Sequence, residues 1–135
     1  MKKLLFSLFA LIIFSCSLDN ETNQSYLEML PIESATVPQE FVRGETYEIT
    51  MTYFRPTTCH AFNDIYYARD ANTRTVAIVT TVFANNNCEE LEEDLLERSF
   101  NFKATNEDSY IFKFWQGKND NGEDQYLIIE VPVFD

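Results

Sequence analysis

The sequence predicts an all-β domain, a sandwich of about seven strands, behind a short exported leader. Three observations carry that prediction. Apolar and polar residues alternate with a period of two through much of the body, as in "ETYEITMTYF", and such alternation puts every second side chain on one face of a strand. Turn-forming stretches such as "RDAN" and "QGKNDNGEDQ" separate the alternating runs, as they do in antiparallel sandwiches. The body also holds an even pair of cysteines, Cys59 and Cys88, which suits a small domain stapled in an oxidising compartment.

In chain order, Met1-Lys2-Lys3 is followed by an apolar run from Leu4 to Phe14, interrupted by Ser7. A basic start and an apolar stretch of about 11 residues read as a secretory signal, short of the roughly 20 residues that span a bilayer. The run ends Ile13-Phe14-Ser15-Cys16. That ending resembles a bacterial lipobox, and Ser-Cys behind Phe is similar to lipoproteins of the Bacteroidota, although Phe14 is bulkier than the usual pattern. The resemblance implies cleavage before Cys16, diacylation of its sulfur and acylation of the new amine. A plain signal peptide with an incidental cysteine is the alternative.

The expected organisation is a lipoprotein signal peptide over 1–15, the lipidated Cys16 with a flexible tether over 16–29, and a sandwich domain over 30–135. One acyl chain binds a membrane only reversibly, but each buried CH₂ adds about 0.8 kcal/mol, so two or three chains hold firmly. Asp19 and Glu21, just behind Cys16, resemble the export signal that sends many Bacteroidota lipoproteins to the outer face of the outer membrane. A periplasm-facing position is the alternative. About 12 flexible residues reach roughly 20 Å, which keeps the domain near the lipid.

The body is then read strand by strand. "PIESATV" is the weakest candidate; Pro31 and Pro38 bracket it and suit an edge position. In "ETYEITMTYF", Tyr47, Ile49, Met51 and Tyr53 share one face, opposite Thr46, Glu48, Thr50 and Thr52. "CHAFNDIYYA" and "TVAIVTTVFA" flank the "RDAN" turn, and the second is apolar on both faces, as a central strand is. "CEELEEDLLERS" breaks the period: Leu91 and Leu95 are spaced i, i+4, which predicts a short helical crossover between the sheets. "RSFNFKA" returns to alternation with Phe100 and Phe102. "SYIFKFWQ" puts Tyr110, Phe112 and Phe114 on one face, with Lys113 and Trp115 on the other. "QYLIIEVPVF" closes the series, and Asn121-Gly122 predicts an antiparallel hairpin because both residues tolerate positive φ.

Seven short strands of this kind point to a sandwich of immunoglobulin type. Tyr110 follows "NEDS", where the tyrosine corner of such domains would fall. The expected Trp packed on an inter-sheet disulfide does not appear in the usual order. The features "VPQEFVRGETYEI", "YFRPTTC", "NNNC" and "FKFWQG" with "EVPV" resemble uncharacterised Bacteroidota lipoproteins with an Ig-like domain. That resemblance spans nearly the whole mature chain and brings no active site with it.

Composition narrows the chemistry. The formal charge is −12, and losing Lys2 and Lys3 makes it two units more negative. That argues against nucleic acid, whose binders carry basic patches, and against adhesion to anionic lipid. Cys59 and Cys88 should form a disulfide closing a loop of about 29 residues, worth roughly 3.5 kcal/mol in the chain-entropy model. A metal site on Cys59, His60 and Cys88 is the sharper reading, but His60 is the single histidine and neighbours on a strand point to opposite faces. No nucleophile elbow, zinc-protease motif or phosphate loop occurs. "KNDNGED" is rich in oxygen ligands yet does not fit a calcium loop in register, and reads as a hairpin tip. The chain is therefore expected to be no enzyme and to need no cofactor.

Aromatic residues are in surplus. Removing Phe6, Phe9 and Phe14 from the 12 Phe, seven Tyr and one Trp leaves 17. Phe54, Tyr66, Tyr67 and Trp115 have no obvious core duty and are the candidate binding residues. Exposed sheet aromatics serve glycan and protein interfaces, whereas a covering loop or second sheet would make them structural. The leading expectation is a membrane-anchored, non-catalytic binding or interaction module meeting an envelope protein or glycan. The alternatives are a structural accessory domain of an envelope complex, and a hydrolase built on paired carboxylates.

Overall fold

The computed structural model describes residues 24–84 and 87–135. The signal peptide and the lipidated Cys16 expected upstream lie outside these residues. Among the described residues nine strands form two sheets and no helix occurs. The larger sheet contains β1 (Ser25–Leu30), β3 (Phe41–Val42), β5 (His60–Asp70), β6 (Thr73–Phe83), β8 (Ser109–Lys118) and β9 (Asp124–Phe134). The smaller contains β2 (Ile32–Thr36), β4 (Thr46–Phe54) and β7 (Leu95–Lys103), with β4 in the middle.

The central position expected for "TVAIVTTVFA" is β6. One of its edges pairs with β5 throughout. The other edge is shared: Thr73–Val76 run parallel to β8, and Ile78–Phe83 run antiparallel to β1. Both edges of β6 are therefore paired along most of their length, as a central strand requires, while its inner face is buried and its outer face, Ala77 apart, is half-buried or exposed. β2 lies at the edge of the small sheet, as its flanking prolines predicted, and β8 and β9 form the expected antiparallel hairpin. Of the pair Asn121-Gly122, Gly122 alone takes a positive φ, 76°.

Two strands were not expected. Ser25–Met29, read from sequence as the end of the tether, belong to β1 and pair with β6. β3 is two residues long and runs parallel to β9. Between β1 and β2 the chain changes sheets at Pro31. Gly117, in the irregular stretch of β8 with φ 94°, leaves room for it; a Cβ there would sit 3.2 Å from the Pro31 ring.

The predicted helical crossover is absent. Residues 89–94 instead run alongside residues 55–58, through backbone bonds from Arg55 N to Asp94 O, Thr58 N to Glu89 O and Leu91 N to Pro56 O. Leu95 then begins a continuous register with β4, facing Phe54. The reason is competition. Too few residues separate the disulfide from β7 to repay helix nucleation, and the i, i+4 pairs Glu89–Glu93 and Glu90–Asp94 would repel.

The core lies between the sheets. Ile49, Met51, Tyr53 and Phe102 of the small sheet pack on Val76, Ile78, Tyr110, Phe112, Phe114 and Val131 of the large one. Phe41, from the short β3, sits among Phe102, Tyr110 and Phe112 with ring centroids 5.2–6.2 Å away. Edge-on geometry between Phe102 and Phe112 at 5.1 Å is the favourable orientation for aromatic pairs. The Tyr110 hydroxyl accepts from the backbone N–H of Thr105 at 2.9 Å, a backward bond of the kind a tyrosine corner makes. Cys59 and Cys88 form a disulfide with Cα atoms 5.4 Å apart, tying the start of β5 to the segment that precedes residues 89–94.

Candidate functional site

The structure separates the four aromatic residues singled out from sequence. Tyr66 and Trp115 come together on the outer face of the large sheet. Tyr67 turns inward, and Phe54 is exposed at the end of β4 beside Leu95, away from the other three. No common site contains all four.

The outer groove follows from alternation. Inner positions of β8 hold Tyr110, Phe112 and Phe114, so Lys113 and Trp115 face outward. Tyr126 lies directly across from Trp115 on β9, and Tyr66 lies across from Ala77 on β6. With Met29 of β1 and Thr75 they line a shallow groove of about 400 Å³, closed at one end by Lys118 and Asp124. The Trp115 indole N–H donates to Asp124 Oδ1 at 3.0 Å, and Lys118 Nζ donates to the same oxygen at 2.9 Å. These two donors, Lys118 first, hold the Asp124 carboxyl below its usual range. Lys113 Nζ stands 4.3 Å from the Tyr126 ring centroid, a cation–π contact that steadies the ring. The groove thus offers flat apolar rings beside a fixed carboxylate and an ammonium.

A second concavity, about 580 Å³, opens on the other face of β5. It lies between β5 and β7, where the free edges of the two sheets approach each other. Ile65, Tyr67, Phe100 and Phe102 form its apolar wall, while Arg69, Arg74 and Lys103 are cationic and Asp64 is anionic. Tyr67 and Phe100 meet edge to face at 5.6 Å. Burial pushes the Tyr67 hydroxyl above its ordinary pKa, and the nearby Arg74 works the other way. Arg74 has an inner-face position on β6 and is 7% exposed. Its Nη1 donates to Ala71 O at 2.8 Å and Thr73 O at 3.0 Å, and its guanidinium lies 5.0 Å from the Tyr110 ring centroid.

His60 is buried and hydrogen-bonded on both sides, through Nδ1 to Thr57 Oγ1 at 2.7 Å and through Nε2 to Glu28 Oε2 at 2.8 Å. In "KNDNGED", the Asn119 side-chain oxygen accepts from the N–H groups of Asn121 and Glu123, so it closes the hairpin loop. Among the described residues no group of three His, Cys, Asp or Glu side chains is arranged to hold a metal.

Sequence reasoning missed Met29, Lys118, Asp124 and Tyr126 in the groove, and Arg74 in the cleft. A two-residue turn at Asn121-Gly122 would set Trp115 opposite Ile128; Tyr126 takes that place only through the irregular register between Trp115 and Lys118, which the sequence does not show. For Arg74 the signal was the alternation in "TRTVAIVT", which puts an arginine on the same face as Val76 and Ile78. Compared with protein-family models, curated proteins and solved structures, the chain matches none of them.

Proposed function

We propose that this chain is a non-catalytic binding module, held at a bacterial outer membrane by acylated Cys16 and facing outward. The carrying observation is the outer groove, where Tyr66, Trp115 and Tyr126 are arrayed beside Asp124 and Lys118. Flat rings flanked by hydrogen-bonding groups suit a saccharide, whose ring faces are apolar and whose hydroxyls need partners. A tether short enough to keep the domain near the lipid fits a ligand at the same surface. The immunoglobulin-like reading of the sandwich is supported by the Tyr110 bond to Thr105. The parallel pairing of β6 with β8 departs from the antiparallel sheets of that fold.

The test is glycan-array binding by the full chain, followed by the Trp115→Ala variant. The expected result is a retained glycan whose affinity falls about tenfold in the variant, as loss of a stacked ring implies, with an unchanged circular dichroism spectrum. A wild-type chain that retains no glycan, or a variant that binds equally well, overturns the reading. A second reading, an accessory domain joined to an envelope protein by strand addition, is favoured by β5. Its 11 residues have one edge without a strand partner among the described residues, and such edges accept an added strand.

A further inference from the structure

Arg74 is costly as it stands. It is 7% exposed, and among the described residues no carboxylate lies within ion-pair distance of it, although other cations of the chain have such partners. Its Nε is buried with no hydrogen-bond partner. A buried charge without a counter-charge is unfavourable unless something compensates it. The two carbonyl bonds compensate in part. They also steady the β5–β6 turn, where Ala71 has φ 52°, a conformation disfavoured for any residue with a Cβ. Neither bond neutralises the charge.

The surroundings repeat the theme. In a chain of net charge −12, the cleft brings Arg69 and Lys103 to the same opening as Arg74. Arg69 faces Arg74 directly in the β5–β6 register. Asp64, the cleft's acid, lies five residues from Arg69 along β5, roughly 16 Å away at the usual rise per residue, and already accepts from Ile65 N. The opening is therefore cationic at one end and apolar along its wall, in a volume typical of small-molecule sites.

We propose that the cleft between β5 and β7 binds a small carboxylic acid with a flat apolar body. Arg74 is the fixed anchor for the carboxylate, Arg69 and Lys103 are the cations at the opening, and Tyr67 and Phe100 are the wall for the apolar body. A guanidinium charge bonds a carboxylate more strongly than a neutral acceptor, and the aromatic wall selects against a bare inorganic anion. This site lies on the opposite face of β5 from the outer groove and does not depend on it.

The experiment titrates the full chain, isotope-labelled and kept in detergent, with benzoate, benzyl alcohol and inorganic phosphate at constant ionic strength. Backbone amide shifts are followed by NMR. Benzoate is expected to shift Tyr67, Arg74, Phe100 and Lys103 saturably below about 10 mM, with benzyl alcohol and phosphate doing so far more weakly. Lys103→Gln and Arg69→Gln are each expected to weaken benzoate binding roughly threefold, the effect of removing one partly screened charge. Lys103 lies on β7, apart from the Ala71 turn bonds, so the test survives even if variants at Arg74 or Arg69 fail to fold. No saturable shift in the cleft, equal response to benzyl alcohol, tighter binding of phosphate, or unchanged affinity in both variants overturns the proposal.

Discussion

Tyr53→Phe should stabilise the protein. Tyr53 is 1% exposed, on β4 between Ile32 of β2 and Leu96 of β7, and its hydroxyl is buried with no hydrogen-bond partner. An unsatisfied buried hydroxyl costs about 1–3 kcal/mol, whereas the ring supplies the packing. Phenylalanine keeps the ring and removes the cost, so a gain of about 1 kcal/mol is expected. For a domain of about 110 residues that raises the melting temperature by roughly 4 °C. Calorimetry under non-reducing conditions measures it. Alkaline pH supplies a second check. Burial raises the Tyr53 pKa above its ordinary value, with Arg98 and Arg55 opposing. The neutral hydroxyl is thus favoured in the fold, and that preference leaves stability intact below the unfolded pKa of about 10. Stability is then lost as pH rises through the raised folded value, because the unfolded chain releases its proton first. The variant has no such loss, so its advantage should widen above pH 10. A variant equal to or less stable than the wild type at neutral pH refutes the reasoning.

Two further outcomes follow from the same structure. Replacing Cys59 and Cys88 by serine should cost about 3.5 kcal/mol by freeing the loop between them, lowering the urea midpoint by roughly 2 M for a domain of this size; a shift under about 0.5 M would contradict it. Acid should be felt at Trp115, the single tryptophan. Because Lys118 and Trp115 hold the Asp124 pKa down, their contacts persist above the ordinary carboxylate range and are lost as pH falls through the lowered value. Tryptophan fluorescence should show a step below pH 3.8 that Asp124→Asn abolishes, and a step surviving in that variant argues against the assignment.

Much of the fold is written in local pattern. Alternation in β4, β8 and β9 names the inner residues directly, because each strand has one face on the core and one toward solvent. The double-sided apolarity of β6 identifies the central strand, and the pair Cys59 and Cys88 forms the disulfide expected of it. What local pattern leaves out is pairing between distant segments. β1 reads as tether because it continues the polar run "SLDNETNQ" without clear alternation, and five of its six residues are exposed in the fold; it is a strand because β6 offers an edge that β8 does not fill. The helix expected near Leu91 fails for the same reason in reverse. A real i, i+4 spacing is outweighed by nine residues of ladder with β4.

The binding surfaces are harder to read still, because they turn on a single residue of register. Tyr66 and Tyr67 are neighbours of similar exposure, and sequence gives no reason to assign them to different sites. Strict alternation from His60 and Phe62, which face the inner positions Val82 and Thr80 of β6, would carry the inner face on to residues 64 and 66. The pairing is irregular between Phe62 and Asp64, so that Ile65 meets Ile78 and Tyr67 meets Val76, both inner positions. One extra residue in the strand, at Asn63, therefore exchanges the faces. It sends Tyr66 to the groove with Trp115 and turns Tyr67 toward Arg74 and Phe100. A bulge is a property of two strands together, and the sequence of β5 alone contains no sign of it. The same slip makes two distinct surfaces out of one tyrosine pair, placing aromatic contact on one side of β5 and a buried cation on the other.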